Sequence, residues 1–381
     1  VGVSNGEVRD ISIDRKYAVE SSVYLENIQK LGSNVSLQYG TRFSFFQYLG
    51  PGTYHEYDTQ PAGTRRNVIN EFNAESGEVI QTYRNLEPRV SLKYQLTNFA
   101  SLKASYNKMS QYFHLISNTT ASNPLDVWTP STNNIKPQTG QQWALGLFKN
   151  YGEDNGIETS AEVYYKATNN QIDYIDGADI LINQYLEGDL LSGVGRAYGL
   201  ELSVKKKFGK INGWVSYTLA KTELKVDGIN NGEWYPTRYD QRHNLKITSF
   251  YEPDSRWTFS STFTFVTGTP TTFPSSRIVV QDRVIPYTPN GGRNNLRVPS
   301  YHRLDLAATL QGKKLRRGKP RKNESFWVFS VYNIYGRKNP FSIYFTQEEE
   351  RRAVGQTLST EARQVSIIGS LIPSVAYNFK F

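Results

Sequence analysis

A repeated segment of about ten residues, in which apolar and polar side chains alternate and the chain turns back across a short polar link, constrains this sequence most. Successive side chains of a strand point to opposite faces, so each segment reads as a strand with one apolar and one polar face. Six pairs are expected, at 18–29 with 34–47, 88–97 with 100–113, 140–151 with 157–168, 197–208 with 212–223, 241–252 with 256–266, and 301–312 with 324–336. A closing strand follows at 371–381. Along 256–266, Trp257, Phe259, Phe263 and Phe265 oppose Thr258, Ser260, Thr262 and Thr264. Glu153, Asp154, Asn155 and Gly156 form one turn, and its Asn-Gly suits a tight hairpin because both residues accept positive φ. The segment SFWVFSVYNIYG at 325–336 is apolar on both faces, so the pattern does not orient it.

The connections alternate in length. Turns within pairs are short, whereas the links between pairs are long, at roughly 48–87, 114–139, 169–196, 224–240, 267–300 and 337–370. Every long link therefore falls at the same end of the strands. Transmembrane β-barrels have this asymmetry, and a soluble sandwich or barrel has no reason for it. A sheet that spans lipid must close, because no water is present to satisfy an unpaired strand edge. Charged residues such as Arg42, Glu201 and Asp305 would face a wet lumen, and the Leu, Val and aromatic face would meet outer-membrane lipids.

Composition agrees. The 26 Tyr, 19 Phe and 6 Trp sit in a chain that is polar on average, the balance expected of a sheet with one face in lipid and one in water. No run of 18 apolar residues is present, which excludes helical spans. The absence of Cys excludes disulfides, thiolate chemistry and Cys-based metal sites. Of the net charge of +9, seven positive charges lie in KKLRRGKPRK, between Lys313 and Lys322, leaving +2 on the other 371 residues. The basicity is one solvated turn, so no nucleic-acid partner is expected.

The closing strand, LIPSVAYNFKF, puts Val375, Tyr377, Phe379 and Phe381 on one face and Ala376, Asn378 and Lys380 on the other. It resembles the C-terminal strand of Gram-negative outer-membrane barrels. That resemblance implies that Tyr377, Phe379 and Phe381 act as a signal to the barrel assembly machinery. Thirteen strands are an odd number where bacterial single-chain barrels have an even one, and the chain opens on VGVSNGEVRD with no export signal. The expectation is an all-β, antiparallel up-and-down barrel domain over 1–381 that is only part of a larger barrel.

Several stretches, in order, resemble the C-terminal barrel portion of TonB-dependent receptors. They are LEPRVSLKYQL at 86–96, AYGLELSVKKKFG at 197–209, WVSYTLAK at 214–221, YDQRHNLKI at 239–247, YHRLDLAATL at 301–310 and VYNIYGRKNP at 331–340. The resemblance implies a plugged 22-stranded barrel that imports a nutrient ligand, driven by a TonB-type energy-coupling protein acting on a plug. No plug or coupling box is recognisable in these residues. A structural barrel within an outer-membrane assembly, with a surface lipoprotein or other envelope proteins as partners, and a passive porin are the alternatives. Long loops are expected outside the cell and the C-terminus in the periplasm.

Arg42, together with Glu201, Arg242, Arg303 and Asp305 of those motifs, is expected to face the lumen or plug, and Gly199 marks close backbone approach or a bend. The four histidines, His55, His114, His243 and His302, lack close ligand spacing, so neither a metal nor a cofactor is expected. GVGRAYG at 193–199 is not a dinucleotide fingerprint and reads as a loop entering a strand. No nucleophile elbow or P-loop is present, so no enzyme is expected. The best candidates for ligand contact are aromatic residues of the long loops: Tyr54, Tyr57, Trp128, Trp234 and Tyr235.

Overall fold

The computed structural model describes residues 15–116, 128–152, 156–178, 183–274, 276–280, 283–288, 292–313, 315–316, 319–320, 323–347 and 360–380. Thirteen strands follow one another in space as they do in sequence. They are β1 (Tyr17–Leu31), β2 (Val35–Leu49), β3 (Val79–Thr97), β4 (Ala100–Gln111), β5 (Gln138–Tyr151), β6 (Ile157–Tyr174) and β7 (Leu190–Lys206). Then come β8 (Ile211–Val226), β9 (His243–Tyr251), β10 (Trp257–Val266), β11 (Tyr301–Gln311), β12 (Glu324–Tyr332) and β13 (Ile372–Lys380). Every neighbouring pair is antiparallel, and β1 and β13 each leave one edge unpaired among the described residues.

The register carries the alternation across the whole sheet. Tyr94, Leu102, Leu147, Ala161, Leu202, Tyr217, Leu245 and Phe265 are successive cross-strand partners from β3 to β10. One residue along, the partners are Lys93, Lys103, Gly146, Glu162, Glu201, Thr218 and Asn244. One face is apolar and the other is polar. Among the described residues no second layer covers the apolar face, and Tyr94, Leu147 and Leu202 are 44%, 45% and 39% exposed. A contiguous apolar surface of this extent is unstable in water and suited to acyl chains, as on the outer face of a membrane barrel. On the same face Tyr106, Trp143, Tyr165 and Tyr198 run side by side with ring centroids 5.4, 6.1 and 6.4 Å apart. Such amphipathic rings suit the boundary between lipid and water.

Pairing also orients the segment that its own pattern leaves open. Trp327, Phe329 and Val331 pair with Leu310, Ala308 and Leu306, and so lie on the apolar face. Trp327 meets Tyr377 of the closing strand at 4.7 Å. Phe381, Glu153, Asp154 and Asn155 lie outside the described residues, as does part of the basic turn, in which Leu315–Arg316 pairs with Lys319–Pro320.

Several strands run further toward the long-loop end than their alternation suggests. β3 begins at Val79 instead of 88, β6 continues to Tyr174, and β7 starts at Leu190, so GVGRAYG is strand and not loop. These extensions carry polar residues on both faces, and the period-two signal fades there. The tightest packing is also at this end. Ile116, Ile135, Tyr174, Leu186 and Leu190 form one buried cluster, Phe46, Tyr48 and Tyr112 a second, and Val226, Ile229 and Tyr235 a third. Each such side chain contributes about 1.5–3 kcal/mol of burial. Gly199 lies on the polar face under Tyr164, where a Cβ would come 2.6 Å from the Leu219 carbonyl oxygen.

The two faces make opposite predictions for the same substitution. Leu202→Arg is expected to destabilise the folded barrel in lipid by about 2 kcal/mol, whereas Ser203→Arg, one residue on, changes it little. Urea unfolding in liposomes, followed by heat-modifiable mobility, measures the difference.

Candidate ligand-binding site

Three long connections build the site. After β2 the chain forms a hairpin, Gly52–Tyr57 with Val68–Ala74, whose alternation stacks Tyr54 on Phe72 at 5.2 Å and turns it toward the Phe46, Tyr48 and Tyr112 cluster. The hairpin tip is held down by two arginines. Arg65 donates to both carboxylate oxygens of Asp189 at 2.6 and 2.5 Å, and Asp189 is fully buried. Arg66 donates to the Glu187 carbonyl at 2.6 Å, and its amide donates to the Gly188 carbonyl at 3.1 Å. Only glycine fits at 188, because a Cβ there would lie 2.8 Å from both the Arg66 carbonyl oxygen and the Tyr57 ring.

The second connection, 112–137, supplies a short pairing of Phe113–Leu115 with Trp128–Pro130 and then Thr132 to Asn134. The Asn133 and Asn134 side-chain amides both donate to the His55 carbonyl at 2.9 Å. Glu187, from the third connection, accepts from Lys16 at 2.5 Å, Asn134 at 2.7 Å and Thr132 at 3.2 Å. Burial alone would raise its pKa, but Lys16 and these hydrogen bonds prevail and hold the carboxyl below its ordinary value. The Glu187 carboxylate thus ties the segment before β1 to the second and third connections, while its backbone carbonyl takes Arg66 of the first.

Between these loops lies a cavity of about 300 Å³, walled by Tyr48, Tyr54, His55, Tyr57, Phe113 and Trp128. Arg15, Lys16, Asn133, Asn183, Gln184 and Glu187 complete the lining. Burial, reinforced by the Glu187 charge, pushes the Tyr57 hydroxyl well above its ordinary pKa, so it stays protonated and able to donate. Trp128 stands 58% exposed beside Phe113, with ring centroids 6.3 Å apart.

Three of the five aromatic residues chosen from sequence, Tyr54, Tyr57 and Trp128, therefore converge. Trp234 does not join them, since its ring lies 4.1 Å from the Arg196 guanidinium, on the apolar side of β7. Tyr235 is buried and donates to Asp173 at 2.6 Å, holding the 227–242 loop onto the end of β6. His55 and Glu187 were not anticipated, because their role depends on loops more than a hundred residues apart. Arg42, Glu201, Arg303 and Asp305 lie on the polar face. Arg42 pairs with Glu20 at 2.7 Å, and Arg303 pairs with Asp305 at 2.9 Å. Arg242 precedes β9, 3.9 Å from the buried Asp240. No group of three His, Cys, Asp or Glu suited to a metal occurs among the described residues.

Two outcomes follow. Arg65→Ala strands the Asp189 carboxylate and should weaken the loop clamp by about 1–2 kcal/mol, a value kept low by the exposure of the guanidinium. Limited proteolysis should then nick 58–67 several-fold faster while the barrel stays folded. Behind the cavity, His114 is buried, and burial lowers its imidazole from 6.5 to about 4. The folded loop keeps it neutral, whereas the unfolded chain protonates it, so stability is lost as pH falls through that window, by up to about 1.4 kcal/mol per unit. His114→Gln should flatten this slope in thermal unfolding.

Sequence and structure comparisons bear on what such an assembly is. No curated protein matches the chain. Solved structures do, among them the ferric yersiniabactin uptake receptor FyuA from Yersinia pestis, with a TM-score of 0.59 and 14% identity, covering 96% of this chain and 46% of that one. The siderophore receptor PiuA from Acinetobacter baumannii gives 0.59 and 14%, covering 95% and 43%. The FrpB iron transporter from Neisseria meningitidis gives 0.57 and 11%, covering 97% and 46%. At these identities the likeness is one of fold, and the chain spans less than half the length of each. A family model, TonB dependent receptor-like β-barrel, matches residues 3–334. With that match over most of its length, the chain belongs to the TonB-dependent receptor β-barrel family, whose barrels lie in the outer membrane.

Proposed function

We propose that residues 1–381 are the barrel portion of an outer-membrane importer that captures a nutrient ligand between its long loops and passes it inward under TonB-type energy coupling. The observation that carries this reading is the aromatic cavity at the long-loop end of a lipid-facing sheet of this family. Tyr54, Tyr57 and Trp128 supply the capture surface, and the clamp of Arg65 on Asp189 holds its loops in place. In this reading the long loops face outward and the closing strand ends in the periplasm, where Tyr377, Phe379 and Phe381 engage the assembly machinery. The unpaired edges of β1 and β13 would be costly in hydrocarbon. Further strands of the same barrel pair with them, and a plug covers the polar face along which Arg42, Glu201, Arg303 and Asp305 are set.

Radiolabelled ferric chelates and oligosaccharides offered to cells with and without the receptor test this reading. Accumulation of at least one of them should require the receptor and fall at least tenfold when the TonB-type protein is deleted. Accumulation that survives the deletion, as through a passive pore, or no receptor-dependent accumulation, would contradict it.

A further inference from the structure

The chemistry of the cavity wall narrows what it can hold. On one side, Trp128 and Phe113 present adjacent ring faces, 58% and 51% exposed, with planes only 29° apart. Flat, accessible π-faces of this kind suit the C–H face of a pyranose ring. Elsewhere in the lining stand Gln184 and Asn133, whose amide nitrogen is spent on the His55 carbonyl while its Oδ1 has no partner among the described residues. A carboxamide both donates and accepts, which matches the dual character of a hydroxyl group.

Two ionisable groups of the wall have carboxylates beside them. Lys16 is bound to Glu187, and the His55 ring lies 3.3 Å from the Glu71 carboxylate. Arg15 is exposed at the rim, where solvent screens it. An anionic ferric chelate would meet a wall whose half-buried Lys16 is neutralised by Glu187.

A second cavity, of about 570 Å³, lies on the other side of the same short hairpin. Phe113 and Ile116 line the first cavity, whereas His114 and Leu115 line the second. The second wall repeats the amide chemistry through Gln111, Gln138, Gln171 and Asn294. Its Arg293 is held by Asp173 at 2.5 Å and Asp176 at 2.7 Å, and its Arg238 stacks on Tyr239 at 4.7 Å.

We infer that the aromatic cavity takes an uncharged, polyhydroxylated ligand, an oligosaccharide or glycoside, stacked on Trp128 and Phe113 and hydrogen-bonded by the surrounding amides. This rests on the capture role proposed above and specifies its substrate class. The full-length receptor, purified in detergent, is tested on an array of neutral oligosaccharides, sulfated oligosaccharides and ferric chelates. Saturable binding to at least one neutral oligosaccharide is expected, weakened at least tenfold by Trp128→Ala and largely restored by Trp128→Tyr. Heat-modifiable mobility confirms that each variant is folded.

Binding restricted to chelates or sulfated sugars, neutral binding indifferent to Trp128→Ala, or no neutral binding would overturn the inference. Uptake separates this failure from that of the import reading. Saccharide binding without TonB-dependent uptake sinks import and leaves the ligand class standing, whereas TonB-dependent uptake of a ferric chelate alone does the reverse.

Discussion

Pairing of backbone N–H and C=O groups in hydrocarbon is the constraint on which the rest of the structure depends. A strand in lipid has no water to turn to, so each must be bonded along both edges. That requirement gives neighbours that follow sequence order and strands of up to 19 residues. Pro88, which cannot donate to a ladder, lies in β3 just beyond Arg89, where pairing with β4 ends. With pairing fixed, side-chain alternation has one outcome. The row from Tyr94 to Phe265 meets lipid, and the row from Lys93 to Asn244 does not.

The long-loop end obeys different physics. Beyond the lipid, water returns, both strand faces can be polar, and the loops must be held by contacts of their own. They are held by small apolar clusters and by buried charges whose partners come from distant segments. Asp189 is gripped by Arg65 and Glu187 by Lys16, and each tie closes a loop of more than a hundred residues. Such ties fix geometry more than they add stability, because desolvating a carboxylate offsets much of the attraction. What they fix here is an aromatic-walled cavity at the mouth of the barrel.

The same division explains what was legible in the sequence. Within the lipid-facing part, the alternation in segments such as Trp257 to Val266 was enough to place strands, turns and faces. It failed at 325–336, where both faces are apolar and only the partners Leu310 and Ala308 settle the orientation. It also failed at the extended ends of β3, β6 and β7, where neither face needs to be apolar. In the loops, residue type identified Tyr54, Tyr57 and Trp128 as candidates. It did not show that they meet, or that Tyr235 is spent on Asp173, since those facts depend on contacts between remote segments. His55 and Glu187 gave no sequence signal because their neighbours are more informative than their spacing.

The central claim is that alternate residues of these strands face lipid and water, and the chain offers a clean test because it contains no cysteine. Single cysteines placed along Leu200 to Lys206 of β7, spin-labelled in liposomes, report collision with oxygen in lipid and with a nickel chelate in water. The account predicts a strict period of two, with Leu200, Leu202 and Val204 favouring oxygen and Glu201, Ser203 and Lys205 favouring nickel. Uniform accessibility, or protection of the Leu and Val positions from both reagents, would instead place that face in a protein core and contradict the membrane barrel.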